Sequence, residues 1–186
     1  MLSMKTVSLL LFTLIATTAW GQEKSIEVEL GIRYNLPANT FNSEVPGWDT
    51  QKSGAGLKAM PKWNLSNKKS IGVHFGINLF GEDARGSDIG TFVIFSYVPT
   101  FQHQLLDTKF SPFYSVGLGG YSVLNSETAI APGFSVSLGT TLFRKGSIAF
   151  EYHHLLTDVE VDDAFFNNFD RWNFYGIVLG YDIGIK

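Results

Sequence analysis

The sequence contains no cysteine. That excludes a disulfide framework, a thiolate metal site and a lipid-modified N-terminal cysteine. It does not exclude an oxidising compartment, since a chain able to build a large fold needs no staples. Charge is also scarce. Asp, Glu, Lys and Arg make up 17% of the chain, against about 25% in soluble globular domains. No basic excess exists: the formal net charge is −3, so nothing draws the chain to nucleic acid. Helical periodicity is nearly missing. Beyond the N-terminus, no apolar run approaches the roughly 20 residues of a spanning helix. What is plentiful is aromatic side chains, at 15% with 16 Phe, and glycine, at 19 residues. That mixture suits strands, tight turns and a large apolar surface. The 186 residues suffice for one domain.

The N-terminus reads as a secretory signal peptide. Lys5 gives a positive start, residues 7–19 form a mostly apolar run, and Ala19-Trp20-Gly21 places small residues before a cleavage point at Gln22. These are the three parts of an export signal, and the apolar run is too short for a membrane anchor. The expected organisation is residues 1–21 as signal and 22–186 as one domain.

Through the domain, apolar and other residues alternate with period 2, the signature of strands with two different faces. Ile26, Val28, Leu30, Ile32 and Tyr34 oppose Glu27, Glu29, Gly31, Arg33 and Asn35. Ile71, Val73, Phe75, Ile77 and Leu79 oppose Gly72, His74, Gly76 and Asn78. Eight such segments can be traced, each about the 9–11 residues of a tilted membrane strand. Their connections alternate in length. Those at 36–53, 81–90, 125–132 and 157–170 are long, and those around 66–69, 106–109 and 144–146 are short. Long loops on one side and short turns on the other are the pattern of outer-membrane barrels. The expected fold class is therefore all-β: an antiparallel up-and-down transmembrane β-barrel of about eight strands.

Alternation alone also fits a lipocalin-like carrier, whose apolar face points inward. Three features favour an apolar exterior. The other face is rich in Gly and Ser, which suits a narrow interior. It carries charges of both signs, at Glu27, Glu29, Arg33, Lys58, Lys62, Glu151 and Asp182. Enclosed charges must pair, because isolated ones are too costly, so these seven form a candidate lumen network. Finally, aromatics on the apolar face gather near strand ends. Tyr34, Tyr152 and Tyr175 fall toward the long loops, and Trp63, Phe101 and Tyr181 toward the short turns, as two interfacial girdles would require. Pro61, Pro99 and Pro112 all fall near the short-turn end of their strands, where a residue without an N–H belongs at a rim or bulge.

On these patterns the chain resembles the small bacterial outer-membrane β-barrel superfamily, of OmpA/OmpX type, across its whole exported part. The Ala-Trp-Gly/Gln junction resembles those of Bacteroidetes-type exported proteins. The resemblance implies an outer-membrane address, with outer-membrane lipid and the barrel-assembly machinery as partners. Its members often finish on an aromatic residue, whereas this chain ends on Lys186.

Candidate chemistry is sparse. His153 and His154 are adjacent and point to opposite faces of a strand, so they cannot share a metal. His74 and His103 show no ligand spacing. No metal and no cofactor is expected. A lipid A-modifying hydrolase needs a serine and a base within hydrogen-bond reach. His154 lies on the apolar face while Ser135 and Ser137 lie on the other, so no catalytic set is assembled. The acidic residues Asp158, Glu160, Asp162, Asp163 and Asp170 follow no calcium-loop spacing. Phe165, Phe166 and Phe169 in the same loop, with Trp48 in the first, form a candidate contact patch for an extracellular ligand. The expectation is an outer-membrane barrel with a structural or surface-interaction role and a closed lumen. Alternatives are a lipid A-modifying hydrolase and a soluble periplasmic carrier.

Overall fold

The structure, a computed structural model, describes residues 26–38, 53–81, 91–124, 130–156 and 173–185. The proposed signal, most of each long connection and the loop residues Trp48, Phe165, Phe166 and Phe169 lie outside the described residues, while residues 36–37, 81 and 131–132, expected in connections, belong to strands. The acidic loop residues from Asp158 to Asp170 lie outside them too.

Eight strands follow in chain order: β1 (Ile26–Pro37), β2 (Gly54–Ser66), β3 (Lys69–Gly81), β4 (Thr91–Gln104), β5 (Phe110–Val123), β6 (Ala131–Leu142), β7 (Gly146–Leu155) and β8 (Asn173–Ile185). Each is antiparallel to the next. β8 returns to β1, with Ile26 opposite Ile185 and Pro37 opposite Phe174, and closes the barrel. Closure removes both sheet edges, so every strand has two hydrogen-bonding neighbours. Every strand falls on one of the eight segments that the alternation traces.

The polarity is inverted relative to a water-soluble protein. Among the described residues, twenty polar or charged residues are buried against twelve apolar ones. Meanwhile Leu118, Leu138, Leu57 and Ile32 stand outward with 60–73% of their surface exposed. An apolar exterior around a polar interior is the arrangement of a membrane-spanning barrel. It removes the basis for an apolar carrier cavity.

Two of the three prolines sit differently from expectation. Pro61 and Pro99 lie inside their strands rather than at a rim. The β2–β3 ladder passes from Ala59/Phe75 to Lys62/Gly72, and the β4–β5 ladder from Tyr97/Gly120 to Thr100/Gly117. Each proline falls in such a gap, where its missing N–H leaves the ladder open. On the other side each still has a register partner, Val28 for Pro61 and Val73 for Pro99.

The β6–β7 turn falls where a short connection around 144–146 is expected, shifted by one residue toward β6. Gly146 does not make the bend; it pairs with Leu142. The bend falls on Phe143 and Arg144, both with positive φ, at 52° and 71°, and Lys145 N–H donates to Leu142 O at 3.3 Å. Two consecutive positive φ values are what the strand-matching mirror-image turn requires.

A charge-paired lumen as candidate functional site

The lumen side chains come from alternate positions of all eight strands, and they separate into layers. Toward the long loops lies an apolar plug: Phe80, Ile94, Val98, Tyr121, Val123, Ala131, Leu155 and Phe174. None of these was assigned to the interior from sequence. Large apolar residues on an otherwise polar face weaken the contrast that alternation relies on.

Beneath the plug, charges of opposite sign alternate in an unbroken chain. The Arg33 guanidinium donates to Glu151. Lys58 Nζ bridges Glu151 Oε1 at 2.9 Å and Glu29 Oε1 at 2.8 Å. Lys62 Nζ then joins Glu29 Oε2 at 3.2 Å and Asp182 Oδ1 at 2.5 Å. Three cations thus face three carboxylates, and all six residues are buried. Glu27 stands apart. It is half-buried at the short-turn end and opposite Lys62 in register, and among the described residues no ion pair is found for it.

Two glycines make this chain possible. A Cβ at Gly176 would lie 2.7 Å from Arg33 Cδ, and one at Gly180 would crowd Ser147 Oγ and Glu29 Oε1. Bare backbone on β8 leaves the room that the long side chains of β1 fill.

Where the chain of charges meets the plug, it is joined by two histidines. Arg33 Nη2 donates to His74 Nε2 at 3.1 Å, and Nη1 donates to Asn78 Oδ1 at 2.6 Å. His153 Nε2 donates to Glu151 Oε2 at 3.3 Å, leaving Nδ1 to accept from the Tyr121 hydroxyl at 3.0 Å. The His153 ring stacks on Phe174, with centroids 4.6 Å apart. The ligand-capable atoms of His74, Glu151 and His153 all lie within 4.8 Å of one another. Sequence spacing missed this grouping because β3 and β7 meet only across the closed lumen, far apart in the chain.

The serines are accounted for as well. Ser135 and Ser137 face inward and stand opposite His153 and Glu151 in register. Ser137 hydrogen-bonds Ser115. Both ring nitrogens of His153 are already engaged by Tyr121 and Glu151, so no Ser–His couple forms there.

On the exterior, Tyr34, Trp63, Phe101, Tyr152, Tyr175 and Tyr181 all project from the apolar face, exposed or half-buried. Tyr152 packs on Tyr175, with centroids at 5.2 Å, and near Phe134 at 6.1 Å. This aromatic cluster lies at the loop end of β6–β8, where His154 also packs against Phe134 at 5.0 Å. At the opposite end, Trp63, Ile71 and Phe101 lie in one cross-strand row, and the His103 ring bonds the Tyr114 hydroxyl at 3.1 Å.

The same architecture occurs in solved structures. The outer membrane protein OprG from Pseudomonas aeruginosa superposes with a TM-score of 0.53 at 12% identity, over 86% of this chain and 95% of that one. Neisserial surface protein A gives 0.52 at 10% identity, over 87% and 97%. The fold is that of the small eight-stranded outer-membrane β-barrels. No protein-family model matches the chain, and no curated protein does. Identities this low carry the fold and nothing of the activity.

Proposed function

We propose that this protein is an integral outer-membrane barrel with a closed lumen and a structural or surface-interaction role. The observation that carries the reading is the inverted polarity: an apolar, aromatic-ended exterior around an interior whose charges are paired side chain to side chain. Eight strands enclose just enough space for side chains, and here those side chains neutralise one another beneath an apolar plug. Among the described residues, this filling argues against a conduction path or a ligand cavity in the lumen. Contact with anything outside then falls to the long loops, with Trp48, Phe165, Phe166 and Phe169 as the residues to test. Residues 1–21 supply the export signal in this reading, and outer-membrane lipid and the assembly machinery are the obligatory partners.

The test is made on cells expressing the full chain and on the refolded protein. Extraction should require detergent, and the unboiled protein should migrate differently from the boiled one on a gel. N-terminal sequencing should begin at Gln22, and planar bilayers should show no sustained conductance. Release into the soluble periplasmic fraction would revive the carrier reading. A lipid A mass spectrum that changes with expression would instead establish a hydrolase.

A further inference from the structure

The His74, Glu151 and His153 group has the composition of a metal site: two imidazoles and a carboxylate, fully enclosed. Its geometry says what occupies it. Arg33 Nη2 bonds both His74 Nε2 and Glu151 Oε2, so one guanidinium nitrogen stands between two of the three ligand atoms. The third member, His153, donates to the same Glu151 oxygen. The ligand atoms lie within 4.8 Å of one another, and the His153 Nε2 to Glu151 Oε2 edge, at 3.3 Å, already has the roughly 3.3 Å of a tetrahedral site with bonds near 2.0–2.1 Å. The cage is thus close to the size a bare ion needs, and the guanidinium holds the place between His74 and Glu151. Charge points the same way. Arg33 contributes one of the three positive charges that balance the three buried carboxylates, and a further cation there would stand beside both Arg33 and Lys58.

We propose that Arg33 is the resident cation of a latent two-histidine, one-carboxylate cage, and that removing it opens a transition-metal site inside the barrel. In the native protein the guanidinium ties β1 to β3 and β7 across the lumen and keeps metal out. Without it, His74 keeps a free Nε2 lone pair and Glu151 Oε2 becomes available, while Lys58 still holds Oε1. His153 joins as its other tautomer: the proton moves from Nε2 to Nδ1 and is donated to the Tyr121 hydroxyl, which in turn donates to Phe134 O. A divalent ion would restore positive charge at the point where it was lost. The contraction it needs is of side chains alone, into space the arginine has vacated.

The experiment compares the native full-length barrel with Arg33→Ala, each refolded into detergent micelles with and without Zn²⁺ or Co²⁺. The chain has no cysteine, so no thiolate confuses the Co²⁺ spectrum. The native barrel should bind no Co²⁺ in the lumen and show no metal-dependent melting. Arg33→Ala should melt lower, bind one equivalent of Co²⁺ with a visible absorption band, and regain much of its lost melting temperature with Zn²⁺. The double variant Arg33→Ala/His153→Ala should lose the band and the recovery. Arg33→Gln provides the same readout if the alanine variant folds only with metal. A native barrel that binds metal through His74 and His153 would overturn the proposal. So would Arg33 variants that neither bind metal nor refold better with it, or binding that survives loss of His153.

Discussion

The two layers of the lumen fill the same narrow space by opposite means. The loop-side plug uses Phe80, Ile94, Leu155 and Phe174, which present no polar atoms beyond the backbone. Any arrangement of similar volume excludes water equally well. The charged layer beneath it uses Arg33, Glu151, Lys58, Glu29, Lys62 and Asp182, in which each group's cost is offset only by a particular neighbour. The plug should therefore tolerate conservative change, whereas the network should tolerate loss of a whole pair but not of one member. A buried ion pair adds little net stability over apolar residues of equal volume, yet a single stranded partner is strongly destabilising. The lumen holds the two kinds of filling in adjacent layers of one barrel.

The largest effect is expected from Glu151→Gln. This carboxylate serves two cations at once, Arg33 and Lys58, and accepts from His153. Its loss leaves an uncompensated buried charge, which costs about 3–5 kcal/mol, read from urea unfolding of the barrel in lipid. Arg33→Met/Glu151→Leu removes the pair together and leaves two cations facing two carboxylates. The double variant should be more stable than the single one. If it is as unstable or worse, charge pairing does not govern this layer and the contrast between the layers fails.

A smaller effect is expected in the plug. Leu155→Ala should cost about 2–3 kcal/mol, near the lower end for a buried leucine. Leu155→Met, which conserves volume, should cost less than about 1.5 kcal/mol. The matching conservative change in the charged layer, Glu151→Asp, should not recover in the same way. The shorter carboxylate withdraws from the Lys58 bond, now 2.9 Å long. Equal tolerance at Leu155 and Glu151 would show that both layers act as mere filling.

This contrast also marks what could be read from the sequence. Strand count, loop alternation and the inward side of Glu29, Arg33, Lys58, Lys62, Glu151 and Asp182 are local properties, visible in any short window. Which of those charges meet is not local. Arg33 reaches Glu151 across 118 positions and His74 across 41, distances fixed by closure of the barrel and by its stagger. The grouping of His74 with His153 was invisible for the same reason. The plug was missed on a different ground: Tyr121, Phe80 and Phe174 are apolar or aromatic residues on the face that charge and glycine mark as interior. Periodicity assigns faces by hydrophobicity, and it fails where both faces are apolar.

The smallest expected effect lies outside both layers and calibrates them. Arg144 holds φ at 71° in the β6–β7 turn, next to Phe143 at 52°. A side chain in the left-handed region costs about 1–2 kcal/mol, whereas glycine enters it freely but loses more freedom on folding. Arg144→Gly should therefore stabilise the barrel by about 0.5–1 kcal/mol, the difference of the two terms. Phe143 is the poorer choice for the same change, because its ring packs edge-on against Phe110 with centroids 4.9 Å apart. The gain should carry over nearly unchanged into Glu151→Gln and into Leu155→Ala: the exposed turn meets the charged layer through the backbone, where Asp182 N–H donates to Lys145 O at 2.7 Å, but neither substituted side chain is in it, and distant sites add. A gain that appears in one background and vanishes in the other would mean that the turn and that layer unfold as one coupled unit. The free energies compared between plug and network would then no longer belong to the layers alone.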